Sequence, residues 1–204
     1  MAIKVIHIGK CGGSTMLYIL EKYAIKYELI HITKPVFEEN CKYIIAIRNP
    51  IDRIISAFNW RYKLVVLDKT QEDRFRGEKN TLEKYGCINN FAEQIESFDV
   101  SKTYIHHVYE DINFYLCDFL KNVKKENILG VVTQENLVND IKSIFNICDD
   151  INDIHINYNA NTDKYISEAG YSLLKKYLHK DYECINKLFA LGLLTDQQYI
   201  ALSK

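Results

Sequence analysis

Residues 5–15 read Val5-Ile6-His7-Ile8-Gly9-Lys10-Cys11-Gly12-Gly13-Ser14-Thr15. An apolar run meets a lysine and two glycines, then Ser-Thr and a helical pattern. That order suits an anion. Glycines let backbone approach oxygen atoms closely, a helix N-terminus offers N–H groups and partial positive charge, and Lys10 adds a full charge. A second stretch, Ile44-Ile45-Ala46-Ile47-Arg48-Asn49-Pro50-Ile51-Asp52-Arg53-Ile54-Ile55-Ser56, ends another apolar run on Arg48 and places Ser56 on the helix that follows. Two such loops at two strand ends fit a nucleotide with phosphate at both ends of its sugar. The expected contacts are Lys10, Cys11, Gly12, Gly13, Ser14 and Thr15 at one end, and Arg48 and Ser56 at the other.

The elements that must carry these residues are legible as periodicity. Residues 3–8, 28–32, 42–47 and 127–133 read as strands. Residues 14–27 read as a helix with Met16, Ile19, Leu20, Tyr23 and Tyr27 on one stripe and Ser14 as its N-cap. Pro50 opens a second helix, where its missing N–H costs nothing, with Ile51, Ile54, Ile55 and Phe58 inward. Further helices are expected near 111–122, after Leu137, and as one long element over 167–190. Strands interleaved with helices predict an α/β, P-loop-like three-layer fold, a central parallel sheet flanked by helices. Ligands of such a fold gather at the carboxyl ends of the strands.

The 204 residues fit a single domain. Residues 61–86, rich in Lys and Arg, read either as a solvated loop or as a lid or substrate-covering insertion. A net charge of −1 argues against a general nucleic-acid coat. No run is long and apolar enough to span a bilayer. The six cysteines show no paired spacing, so reduced thiols and a cytoplasmic location are expected. No ligand pattern for a metal surrounds His106 and His107. Oligomeric state is not legible.

The phosphate chemistry is narrowed by what is missing. A kinase-type loop needs a lysine directly before Ser or Thr; here the lysine precedes the double glycine. The segment His7–Thr15 resembles instead the 5′-phosphosulfate loop of sulfotransferases, H-I-P-K-T-G-G-T-S, and 47–58 resembles their 3′-phosphate motif, R-D-P-x-x-R-x-x-S-x-Y. Residues 130–137 and 180–183 resemble later segments of the family, closest to its carbohydrate branch, which includes the uronyl 2-O-sulfotransferases. Gly9, Cys11 and Asn49 depart from the usual Pro, Thr and Asp.

The resemblance implies sulfuryl transfer from 3′-phosphoadenosine 5′-phosphosulfate to an acceptor hydroxyl, on a carbohydrate or another hydroxyl compound, leaving 3′,5′-bisphosphoadenosine and needing no metal. It implies Lys10 at the leaving phosphate. It also implies His31, by position, as general base, with Glu38, Glu110, His106 and His107 as further candidates. Asn157, Tyr158 and Asn159 fall where relatives close over the nucleotide. Arg53 is expected in a structural ion pair and His7 in the core. Two competing functions fit the same loops: a P-loop nucleotide kinase or phosphotransferase, and a catalytically inactive nucleotide-binding module.

Overall fold

A computed structural model describes residues 2–99, 104–149, 151 and 163–204; Asn157, Tyr158 and Asn159 lie outside them. Four strands form one wholly parallel sheet: β1 (Ala2–His7), β2 (Glu28–Ile30), β3 (Cys41–Ile47) and β4 (Ile128–Thr133), in spatial order β2-β1-β3-β4. Helices flank it, making a three-layer α/β fold. Both central strands are apolar almost throughout because both their faces are covered.

The strand order creates a switch point. After β1 the chain crosses to β2 on one side; after β3 it crosses to β4 on the other. The connections diverge and leave a crevice at the carboxyl ends of β1 and β3. The register is continuous from Ala2 opposite Cys41 to His7 opposite Ala46. The two strands therefore end in step, about 4.8 Å apart, and the loops after them are neighbours.

Helix α1 (Gly13–Lys22) buries Met16, Ile19 and Leu20. It is shorter than its periodicity suggests. Ala24 takes a left-handed conformation, its N–H reaches Glu21 O, and the Ile25 N–H reaches Leu20 O at 2.9 Å. That paired closure ends the helix at Lys22. Nor does Ser14 cap the other end: the N-cap is Gly12, at φ 79°, which has no side chain to offer.

Helix α2 (Pro50–Tyr62) starts at Asn49, whose Oδ1 accepts from the Ile51 and Asp52 amides. Its Nδ2 donates to the carbonyls of Leu202 and Lys204. An aspartate could cap the helix but could not make the second pair of bonds.

Residues 61–86 are ordered by burial. A π-helical turn (Lys63–Leu67) continues α2, and α3 (Glu78–Tyr85) follows. Arg61 and Glu78, 1 % and 0 % exposed, form a two-pronged ion pair at 2.9 and 2.6 Å. Around it Val65, Leu82 and Tyr85 join Phe58 and residues of α4 (Ile88–Glu93) in a second apolar cluster.

The expected helix over 111–122 is two short ones, α5 (Ile112–Leu116) and α6 (Phe119–Asn122). Helix α7 (Leu137–Phe145) follows β4 and packs on α1. The long helix expected over 167–190 is also two, α8 (Glu168–Tyr177) and α9 (His179–Ala190), meeting at the buried Leu178. The break lets α8 pack on α4 while α9 packs on α5 and on α10 (Asp196–Ser203).

Candidate active site

The crevice between β1 and β3 holds a cavity of about 340 Å³, within the range of small-molecule sites. Lys10, Gly12, Gly13, Ser14, Thr15, His31, Arg48 and Ser56 all line it. They come from three places: the turn after β1, the residue just past β2, and the stretch from the end of β3 into α2.

The turn after β1 is tight. The Cys11 amide donates to Ile8 O, and Lys10 takes φ 70°. Gly12, at φ 79°, holds a left-handed conformation that strains any residue with a side chain, and a Cβ there would also push on Leu137 Cδ1, 2.5 Å away. The turn delivers the first residues of α1 to the cavity wall, where helix geometry directs N–H groups outward.

Cys11 departs from expectation. Its side chain is fully buried, its Sγ lies 3.9 Å from Gly9 O, and its amide is already bonded. Burial pushes the thiol up to about 12, so any effect of the helix N-terminus is overridden. The residue turns into the core and is not part of the lining.

Lys10 and Arg48 converge. Arg48 Nη1 lies 3.5 Å from Lys10 O, and Arg48 Nε is buried with no hydrogen-bond partner among the described residues. Neither cation has a carboxylate within ion-pair distance among those residues. Burial first, and Arg48 second, push Lys10 down to about 8. Its ammonium rests over the Trp60 ring, 4.3 Å from the centroid. Ser56 and Trp60, one turn apart on α2, share the face that meets the cavity.

Three imidazoles, His7, His31 and His107, also line the cavity. His31 Nδ1 lies 2.9 Å from the His7 carbonyl. A carbonyl only accepts, so in the neutral ring Nδ1 is the nitrogen that carries the proton and Nε2 the one with the lone pair. The two rings stack 4.5 Å apart at 15°, and His107 follows at 5.8 Å. Burial, then His31 and Lys10, hold His7 down to about 4; burial, then His106, hold His107 far below the usual range.

His7 and His107 reach the cavity because two glycines yield space. A Cβ on Gly13 would stand 1.8 Å from His7 Nε2, and one on Gly9 2.3 Å from His107 Nδ1. A proline ring at position 9 would overlap His107. His107 itself takes φ 65°. Arg53 fixes it there: its Nη1 donates to His107 O at 2.7 Å and reaches Glu110 O at 3.4 Å. Arg53 thus binds carbonyls and not the carboxylate expected of an ion pair.

Glu38, His106 and Glu110 are not placed to act as the base. Glu38 accepts from Lys4 and from Cys41, the first residue of β3, at the far end of the sheet. His106 is buried behind His107. Glu110 accepts from His106 Nδ1, the His107 amide and the Tyr104 hydroxyl. Burial raises its pKa, but those bonds together outweigh it and hold the carboxyl at about 2.

His106, His107 and Glu110 offer ligand-type atoms within 4.8 Å of one another. The two rings lie 3.8 Å apart, tilted by 31°. Glu110 is already committed to three donors.

No protein-family model matches this chain, nor does any curated protein or solved structure.

Three lining residues are not evident from sequence. His7 is expected in the core, although the last residue of a parallel strand stands where ligands gather. Trp60 carries a usable signal, four positions after Ser56 on the same helix face. Gln134 follows β4 directly, again at a strand's carboxyl end.

Proposed function

We propose that this protein is a sulfotransferase, moving a sulfuryl group from 3′-phosphoadenosine 5′-phosphosulfate to an acceptor hydroxyl on a carbohydrate. The observation that carries the reading is the convergence of Lys10 and Arg48 in one cavity, with no carboxylate within ion-pair distance of either among the described residues. Two half-buried like charges, one with an unpartnered nitrogen among the described residues, repel each other and are relieved when an anion joins them. No Asp or Glu lines the cavity among the described residues, so none of these supplies the carboxylate that holds magnesium in nucleotide kinases.

The donor supplies an activated sulfuryl group on a good leaving phosphate. The α1 N-terminus and Lys10 hold that 5′-phosphate, and Lys10 offsets the negative charge that grows as the sulfur–oxygen bond breaks. Arg48, as a planar fork, and Ser56 hold the 3′-phosphate. His31 Nε2 takes the acceptor's hydroxyl proton as its oxygen bonds to sulfur, a role worth roughly 10²–10⁴ in rate. The His7 carbonyl keeps the imidazole in the tautomer that can do so.

The test is a pair of measurements. Melting shifts with 3′,5′-bisphosphoadenosine should be large without magnesium and reduced at least tenfold in apparent affinity by Arg48→Ala. Transfer from the sulfated donor to a glycan panel should then fall at least a hundredfold in His31→Ala with donor affinity retained. A requirement for ATP and magnesium would favour the kinase. Bisphosphate binding with no transfer to any glycan would favour the inactive module.

A further inference from the structure

A second cavity, of about 590 Å³, shares no lining residue with the first. It is nevertheless next to it. Lys34 lines the second cavity three residues after His31 lines the first, a separation the chain limits to about 11 Å. Tyr109 lines the second and His107 the first.

Its walls carry three aromatic rings, Tyr109, Phe114 and Tyr177, and four carboxylates, of which Glu96 and Asp118 pair with lysines and Asp111 and Asp181 do not among the described residues. Asp181 is 1 % exposed; its Oδ1 accepts the Asn113 amide at 2.8 Å, while its Oδ2 is buried with no partner among the described residues. Asp111 accepts the Phe114 amide as N-cap of α5. Burial raises both carboxyls, and each lies in the other's field or in that of Arg53. Arg53 forms no ion pair with either among the described residues.

Charge at the rim largely cancels. Lys176 pairs with Glu96 at 2.6 Å and Lys34 with Asp118 at 3.6 Å. Arg53 from within the fold and Lys180 at the wall oppose the Asp111 charge, and Arg53 opposes that of Asp181. A hydroxyl or ammonium donor bound against the two carboxyls favours their ionised form, which only accepts hydrogen bonds, and ring faces favour C–H surfaces and cations. A ligand for this cavity must therefore bring donors, carry no carboxylate of its own, and present a flat apolar face.

We propose that the second cavity is a subsite for a neutral or amino sugar unit of the acceptor, with Asp111 and Asp181 taking its hydroxyl or ammonium donors and Phe114 and Tyr177 its ring face. The inference rests on the proposed carbohydrate acceptor and excludes a uronic acid from this position.

Saturation-transfer NMR and calorimetry on the whole protein, without donor, test it with three probes: a glucosamine disaccharide, cellobiose and a glucuronic-acid disaccharide. The first two should bind, the glucosamine disaccharide more tightly, and the uronic one at least tenfold more weakly than either. Asp181→Asn should weaken the glucosamine disaccharide at least tenfold while leaving bisphosphoadenosine affinity unchanged; Asp111→Asn serves if that variant does not fold. A cavity that takes only water gives no binding of any probe, and that overturns the proposal. So does equal binding of the uronic disaccharide, or affinity indifferent to both variants. Bisphosphoadenosine titration is independent of these results. Its failure with sugar binding intact would sink the donor assignment and leave the subsite standing.

Discussion

The Lys10 ammonium stands 4.3 Å from the centre of the Trp60 ring. Such a contact is worth about 2 kcal/mol when desolvated, enough to fix the lysine but less than a phosphate can offer. Trp60 is the only tryptophan in the chain. Bisphosphoadenosine should draw Lys10 off the indole, so Trp60 emission should change saturably on titration. Lys10→Ala should lose both that change and at least tenfold in affinity. An emission spectrum that stays flat while calorimetry records binding would contradict this arrangement.

The lowered pKa of Lys10 has a defined sign. In the free protein the ammonium is lost as pH rises through about 8, against 10.5 for an ordinary lysine. Anion affinity should therefore fall between pH 7 and pH 9, while Arg48 stays cationic. Between pH 8 and 10.5 the folded state binds fewer protons than the unfolded one, so Lys10 makes the free protein more stable as pH rises. Lys10→Met should raise the melting temperature of the free protein at pH 7 and remove its share of the pH dependence of binding. Melting curves at pH 7 and pH 9, with and without the bisphosphate, check both statements.

Gly13 and His7 occupy mutually exclusive space. Gly13→Ala forces the His7 ring aside and should destabilise by about 1–3 kcal/mol. Gly13→Ala combined with His7→Ala should cost less than the sum of the two single changes, because the double variant removes the clash. Denaturant unfolding of all four proteins measures the coupling, and strict additivity would refute it.

Arg61 and Glu78 are a buried pair inside the second apolar cluster. Removing either alone strands a charge, at about 3–5 kcal/mol. Arg61→Met with Glu78→Leu should cost less than either single change to Ala, although the His106 amide loses its Glu78 partner. Neither residue lines the cavity, so the folded double variant should bind bisphosphoadenosine as the parent does. A double variant that folds yet binds tenfold more weakly would tie 61–86 to the nucleotide.

Much of the fold was legible because it is written in local pattern. The four strands fall within a residue or two of their expected places, since continuous apolar runs bounded by Gly, Pro and charge have few other uses. Element ends were less legible. Nothing in the stripe of α1 announces that Ala24 will turn left-handed, and nothing in 167–190 announces the break at Leu178. Both depend on what packs alongside. The packing within 61–86 was not legible for another reason: Arg61 and Glu78, seventeen positions apart, neutralise each other in the interior, and no local pattern links them.

The sequence by itself determined the chemistry on offer: a lysine and glycines after one strand, an arginine after another, a helix start beside each. It also determined the class of scaffold, because period-3.6 and apolar runs alternate in chain order. The tertiary structure alone decided that β1 lies beside β3 and ends in step with it, which brings Lys10 and Arg48 into one cavity. It alone turned Cys11 inward, swung Trp60 and His107 to the walls and set His31 on the His7 carbonyl. Strand order and side-chain direction are set by contacts between residues far apart in the chain, and local sequence carries no record of them.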